Sequence, residues 1–140
     1  MCDIPKVGLA VTQEQEINPT GSMIEWGEVI EDNFGFYDPN DTTYIVIKEP
    51  GIYHVHASVV WGTHLKGDHA ATVLMVNGQR TPHMHWEFVR GFNYVPGFSQ
   101  TVDVSAYLRL AEGDRVGVAA AHNGNGTQFT GHKKNEDITQ

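Results

Sequence analysis

One cysteine in 140 residues rules out an internal disulfide, so whatever holds this chain together is not a covalent framework. Cys2 stands beside the N-terminus and reads as an incidental thiol rather than a nucleophile. Basic charge is scarce as well. Nine Lys and Arg against seventeen Asp and Glu leave a formal net charge of −8 and a pI near 5.3. A field of that sign repels phosphate backbones and anionic lipid, so neither nucleic acid nor a membrane surface is an expected partner. No apolar run approaches the ~18 residues that a membrane-spanning helix needs. Met1 to Lys6 lacks the basic stretch and apolar core of a signal peptide, so export by the general secretory route is not expected. Helical periodicity is missing too, since no segment repeats its apolar residues every three or four positions.

What the chain does have is alternation. At 140 residues it is one domain's worth of sequence, enough to bury roughly two thirds of the surface that its unfolded form exposes. From Tyr53 to Trp61, the residues Tyr53, Val55, Ala57, Val59 and Trp61 fall on one face of a strand, and His54, His56, Ser58 and Val60 on the other. This strand follows a Pro50-Gly51 corner, which joins it to a shorter strand over Tyr44 to Lys48. The same pattern recurs at intervals of about 8–12 residues, as in all-β sandwiches. Strands are expected over 6–12, briefly around Ile24 to Glu28, over 69–76 and 79–88, from Phe98 to Leu110, over 115–121 and over 127–131. Asn77-Gly78 forms a tight hairpin turn, because both residues accept the positive φ that such turns demand. Glu31 to Asp41 is too rich in turn formers to be regular, and 132–140 is charged without an apolar period. Each sheet has one apolar face to cover, so the expected architecture is all-β, a two-sheet antiparallel sandwich in a single domain.

Candidate chemistry is thin. His54-Val55-His56 and His83-Met84-His85 each set two imidazoles on one face of a strand, as a metal-dependent enzyme of the double-stranded β-helix type could use. Glu87, His122 and His69 are possible third ligands, but none is fixed by spacing, and histidine at a half-buried or interfacial position needs no metal. No metal site and no cofactor are expected. Asp38, Asn40 and Asp41 could ligate calcium, yet Asp-Pro-Asn-Asp is more simply a turn capped by its own side chains. Asn123-Gly124-Asn125-Gly126 opens no helix and is a turn rather than a phosphate cradle. Ser58, Ser99 and Ser105 lie in no nucleophile elbow, so enzymatic activity is not expected. Trp86, Phe92 and Tyr94 are candidates for contact with a glycan or a partner.

Four features in sequence carry a resemblance. They are Gly51-Ile52-Tyr53 opening a long strand that ends in Trp61, then Val73 to Gly78, then Val104 to Leu110 followed by Glu112-Gly113-Asp114-Arg115-Val116, and finally Thr127 to Gly131. In this order, over residues 7 to 131, they resemble the jelly-roll family of complement subcomponent q globular heads and tumour-necrosis-factor-like proteins. Phe36-Tyr37-Asp38-Pro39 is similar to the variant carried by bacteriophages and bacteria. The resemblance implies a homotrimer with inner sheets packed around a threefold axis, and His54, His56, Ser58 and Val60 as interface residues. It also implies that the nine residues after Gly131 emerge near that axis, available to a neighbour.

The expected function is that of a bacteriophage virion protein, a trimeric capsid decoration or head-fibre protein assembled in the host cytoplasm and seated on the major capsid protein. Residues 1–6 and 132–140 would be arms that order on contact. One alternative is a trimeric lectin-like receptor-binding module using loops 62–68 and 88–98. The other is the metal-dependent cupin-like enzyme.

Overall fold

A computed structural model of the protein describes residues 4–12, 15–18, 21–61, 69–88, 100–122 and 128–129, the side chains of residues 60, 61, 69, 86–88, 100, 101, 128 and 129 excepted. Among them are eleven strands: β1 (Val7–Ala10), β2 (Glu16–Ile17), β3 (Ser22–Met23), β4 (Glu28–Asp32), β5 (Tyr44–Val46), β6 (Gly51–Trp61), β7 (His69–Val76), β8 (Gln79–Phe88), β9 (Gln100–Leu110), β10 (Arg115–His122) and β11 (Gln128–Phe129). One layer is the antiparallel sheet β3-β10-β7-β8, with β5 on β10 as well. Facing it are the pairs β6-β9, β1-β4 and β11-β2, all antiparallel.

Alternation does what the sequence expects of it. In β6, Ala57 and Val59 are buried and Tyr53 and Val55 half-buried; in β9, Val102, Val104, Leu108 and Leu110 are buried. These side chains meet Leu74, Val116 and Val118 of the opposite sheet in one apolar core. A polar link crosses it: the fully buried Thr72 on β7 donates its hydroxyl proton to the Val102 carbonyl at 2.9 Å. Core packing also requires Gly117. A Cβ there would stand 2.7 Å from the Thr43 carbonyl oxygen and 2.7 Å from the Met23 methyl, so the approach of β5 and β3 to β10 depends on its absence.

The expected hairpin at Asn77-Gly78 is present, with φ of 53° and 77°. It is braced against a second turn. Asp114 accepts the Ala111 amide at 2.8 Å and the Asn77 side-chain amide at 3.0 Å, while Asn77 accepts the Arg115 amide at 2.9 Å. The first of these bonds, then the second, hold the Asp114 carboxyl below the ordinary carboxylate range. A depressed carboxyl stabilises the fold above its unfolded-state value and ceases to do so as pH falls through the folded value. Asp114→Ala is therefore expected to melt at a lower temperature than the parent at pH 7, with the gap closing towards pH 3. Equal gaps at both pH values would show that the carboxylate does not hold this corner.

Two expectations fail around residues 24–41. Ile24 and Trp26 are buried but lie outside any strand; they cross from one layer to the other, their amides donating to the Val118 and Thr42 carbonyls at 2.8 Å each. The strand begins later, at Glu28, and runs into the segment expected to be irregular. It pairs with β1, and a register shift leaves Ile30 as an extra residue on β4. Beyond it, the Asp32 carboxylate accepts the amides of Phe36 (2.8 Å) and Tyr37 (2.9 Å), turning the chain so that Phe36 enters the core. The short β2 is also unanticipated: two residues offer no period to read.

Candidate association face

Because β6 and β9 pair without a break from Gly51↔Leu110 to Trp61↔Gln100, the residues that alternate away from the core form one continuous outer face. From β6 it takes Ile52, His54, His56 and Ser58, and from β9 Asp103, Ser105, Tyr107 and Arg109. Val60 pairs with Thr101 at the far end, its side chain outside the described residues. Sequence reasoning named the β6 half and missed the β9 half. The signal was present, since the inward run from Val102 to Leu110 fixes Asp103, Ser105, Tyr107 and Arg109 as its outward complement. What local pattern does not reveal is which strand lies alongside.

Aromatic and aliphatic surface dominates one end of this face. Tyr107 is 74% exposed and Ile52 61% exposed, although both are large and neither touches the core. The His54 imidazole leans on the Tyr107 ring, centroids 4.8 Å apart at 37°. At the other end Ser58 donates its hydroxyl proton to Asp103 Oδ1 at 2.6 Å. With one carboxylate and one guanidinium among the eight described side chains, the face is poor in charge for an exposed sheet surface in a chain of net charge −8. That composition suits burial against protein.

The other candidates separate. His83 and His85 stand on β8, where a groove between β8 and β9 brings them near Asp103 and Ser105. His54 and His56 lie on the outer face of the β6-β9 pair, so the two His-x-His pairs belong to different layers. Among the described residues no three His, Cys, Asp or Glu side chains are grouped to hold a metal ion. Of the third ligands considered, His122 is buried with Nε2 2.9 Å from the Ile17 carbonyl oxygen, which ties β10 to β2. Side chains of His69 and Glu87 lie outside the described residues. The 38–41 segment is a turn: Asp38 accepts the Asn40 amide at 2.9 Å, and Asp41 pairs with Arg115, whose guanidinium sits 4.4 Å from the centre of the Tyr44 ring. Trp86 belongs to β8 with its side chain outside the described residues, and Phe92 and Tyr94 lie outside them altogether, as do loop 62–68 and the tail 132–140.

No protein-family model matches the chain, and no curated protein matches it either. Solved structures do. The globular domain of zebrafish complement 1qA superposes with a TM-score of 0.67 at 16% identity, over 91% of this chain and 91% of that one. Murine APRIL, a tumour-necrosis-factor-type protein, superposes with a TM-score of 0.61 at 12% identity, over 89% of this chain and 95% of the other. The fold is a jelly roll. With identities this low the likeness extends to chain path and layer order, and it bears out the architecture that the order of motifs implied. On such a scaffold the β6-β9 pair presents an outer face whose described residues include the exposed Tyr107 and Ile52 and carry little charge.

Proposed function

We propose that the protein is a non-enzymatic, self-associating structural protein, a homotrimer whose β6-β9 faces are buried between copies, and that it decorates the shell of a bacteriophage particle. The observation that carries self-association is Tyr107 with Ile52. Two large apolar side chains held out into water by a rigid, fully paired strand couple gain by burial, at ~25 cal/mol per Å² of apolar surface removed from water. Closing a ring of three requires each copy to offer two different surfaces. The groove edge at Met84, next to His83 and His85, supplies a second partly apolar one. An interface of this kind buries on the order of 2,000 Å². The virion setting draws its support from the similarity of Phe36-Tyr37-Asp38-Pro39 to the phage-borne variant and from the acidic balance, which suits neither nucleic acid nor membrane. On a lattice, many copies add avidity to modest single contacts with the major capsid protein.

Sedimentation of the purified protein at micromolar concentration and neutral pH is expected to give the mass of a trimer; a monomer overturns the proposal. Electron microscopy of particles then distinguishes shell from tail. A pH dependence follows from the same face. In the proposed trimer three copies bring His54 and His56 together around an axis, beside Arg109, Tyr107 and the Asp103 carboxylate that Ser58 binds. Added protons on clustered imidazoles would bring like charges into a desolvated site, so the trimer is expected to be weaker at pH 5 than at pH 7.5. A sedimentation profile that does not change between these values rules out axial histidines.

A further inference from the structure

Asn-Gly occurs three times in the chain, at 77, 123 and 125, and the first of these lies among the described residues. Asparagine is chemically labile, and a glycine after it removes the side chain that would otherwise keep the next main-chain nitrogen away from its Cγ. At the β7-β8 turn both residues are exposed, and a Cβ built on Gly78 meets nothing within 4 Å, so the approach is open. The carboxamide is not free to use it. Asn77 Nδ2 donates to Asp114 Oδ1 at 3.0 Å, and Asn77 Oδ1 accepts the Arg115 amide at 2.9 Å, so both polar atoms are tied to the turn that follows β9. The main chain is tied as well, the Asn77 amide donating to the Arg115 carbonyl at 2.7 Å. Asp114 in turn is fixed through its other oxygen, which accepts the Ala111 amide.

We propose that Asn77 is a site of self-modification and that Asp114 and Arg115 form the clamp that sets its rate. When the clamp opens, the Gly78 nitrogen gives up its proton to solvent base and bonds to the Asn77 Cγ. The Cγ–Nδ2 bond breaks, and the nitrogen takes a proton from water and leaves as ammonia, which closes a succinimide. Water then opens the ring. Hydrolysis of the new Cγ–N bond leaves aspartate, and hydrolysis of the original peptide bond leaves isoaspartate, in which the chain runs through Cγ. Neither product can close the clamp again. With aspartate, an acceptor oxygen replaces the Nδ2 donor, and two carboxylates meet where a 3.0 Å hydrogen bond stood. With isoaspartate, an extra main-chain atom enters a two-residue turn between the paired Val76 and Gln79. The event runs one way, and it loosens the corner at which the β7-β8 hairpin is braced against the turn between β9 and β10. A lone subunit carries the whole device, so association plays no part in it.

Peptide mapping by mass spectrometry, on the full chain incubated at pH 8 well below its melting temperature, tests this. Conversion at Asn77 is expected to be several-fold faster in Asp114→Ala than in the parent, and fastest in the parent held in urea. Val59→Ala separates the clamp from general weakening of the fold. Val59 is fully buried and pairs with Val102, far along β6 and β9 from this corner, so its loss is expected to leave the Asn77 rate at the parental value. Equal rates in Asp114→Ala and the parent, or the same acceleration by Val59→Ala, overturn the proposal. A second measurement reads the consequence. Reacted chain, separated by its added charge, is expected to melt at a lower temperature than unreacted chain, as is Asn77→Asp. Adding Asp114→Asn to Asn77→Asp returns a donor to the pair and is expected to recover much of the loss. A double variant that melts no higher than Asn77→Asp, or reacted chain that melts with the parent, overturns the proposal as well.

Discussion

Tyr107→Asp is expected to sediment as a monomer at concentrations where the parent is expected to form the proposed trimer, with an unchanged β-sheet circular dichroism spectrum. The fold should not notice the change, because Tyr107 is 74% exposed and contributes nothing to the core. Its effect falls on association. Burying a carboxylate without a partner costs about 3–5 kcal/mol, and each 1.4 kcal/mol is a factor of ten in an equilibrium constant, so a weakening of roughly a hundredfold to several thousandfold is expected for each contact. Asp103 on the same face and the net charge of −8 add repulsion in the same direction. Tyr107→Phe keeps the ring against His54 and should remain a trimer. If Tyr107→Asp is still a trimer, association uses another surface, and β6-β9 is only an exposed sheet face.

Much of this architecture was legible because a half-buried strand writes its two faces into alternate positions. Tyr53 to Val59 and Val102 to Leu110 show the inward series without help from any other part of the chain. Asn77-Gly78 was legible for a different reason: its chemistry selects the turn, and both residues have positive φ. The association face was half legible. Alternation gives His54, His56 and Ser58 their side of β6, but their partners Tyr107, Ser105 and Asp103 lie 53, 49 and 45 residues further on, and a register over that distance is set by packing of the whole sandwich.

Where reading failed, tertiary contacts had overridden local pattern. Ile24 and Trp26 alternate as a strand would, yet each is buried as the chain passes between layers, and their amides bond to Val118 and Thr42 rather than to a neighbouring strand. β4 was hidden because its exposed Val29 and Ile30 break alternation at the extra residue, and because Asp32-Asn33-Phe34-Gly35 immediately follows with every sign of a turn. That turn is real. Its purpose becomes visible only in three dimensions, where the Asp32 carboxylate caps two amides and aims Phe36 inward.

Phe36→Ala is expected to be the most damaging single change to stability. The side chain is 2% exposed and is the largest fully buried one described. It meets Phe34 edge-on at 6.2 Å and Tyr53 at 6.3 Å between ring centres, so its removal takes away two aromatic contacts as well as buried area. Phe→Ala in a core costs about 3–5 kcal/mol, out of roughly 5–15 kcal/mol that hold a typical domain together. The upper part of that range is favoured here because Phe36 already borders a cavity at Val7 and Ile47, so the vacated volume joins existing space rather than being filled by collapse. Urea denaturation should show the loss as a lowered midpoint with an unchanged slope. Phe34→Ala, half-buried at the edge of the same cluster, should cost distinctly less. Equal losses for the two would mean that the aromatic contact, and not burial at position 36, stabilises the turn between β4 and β5.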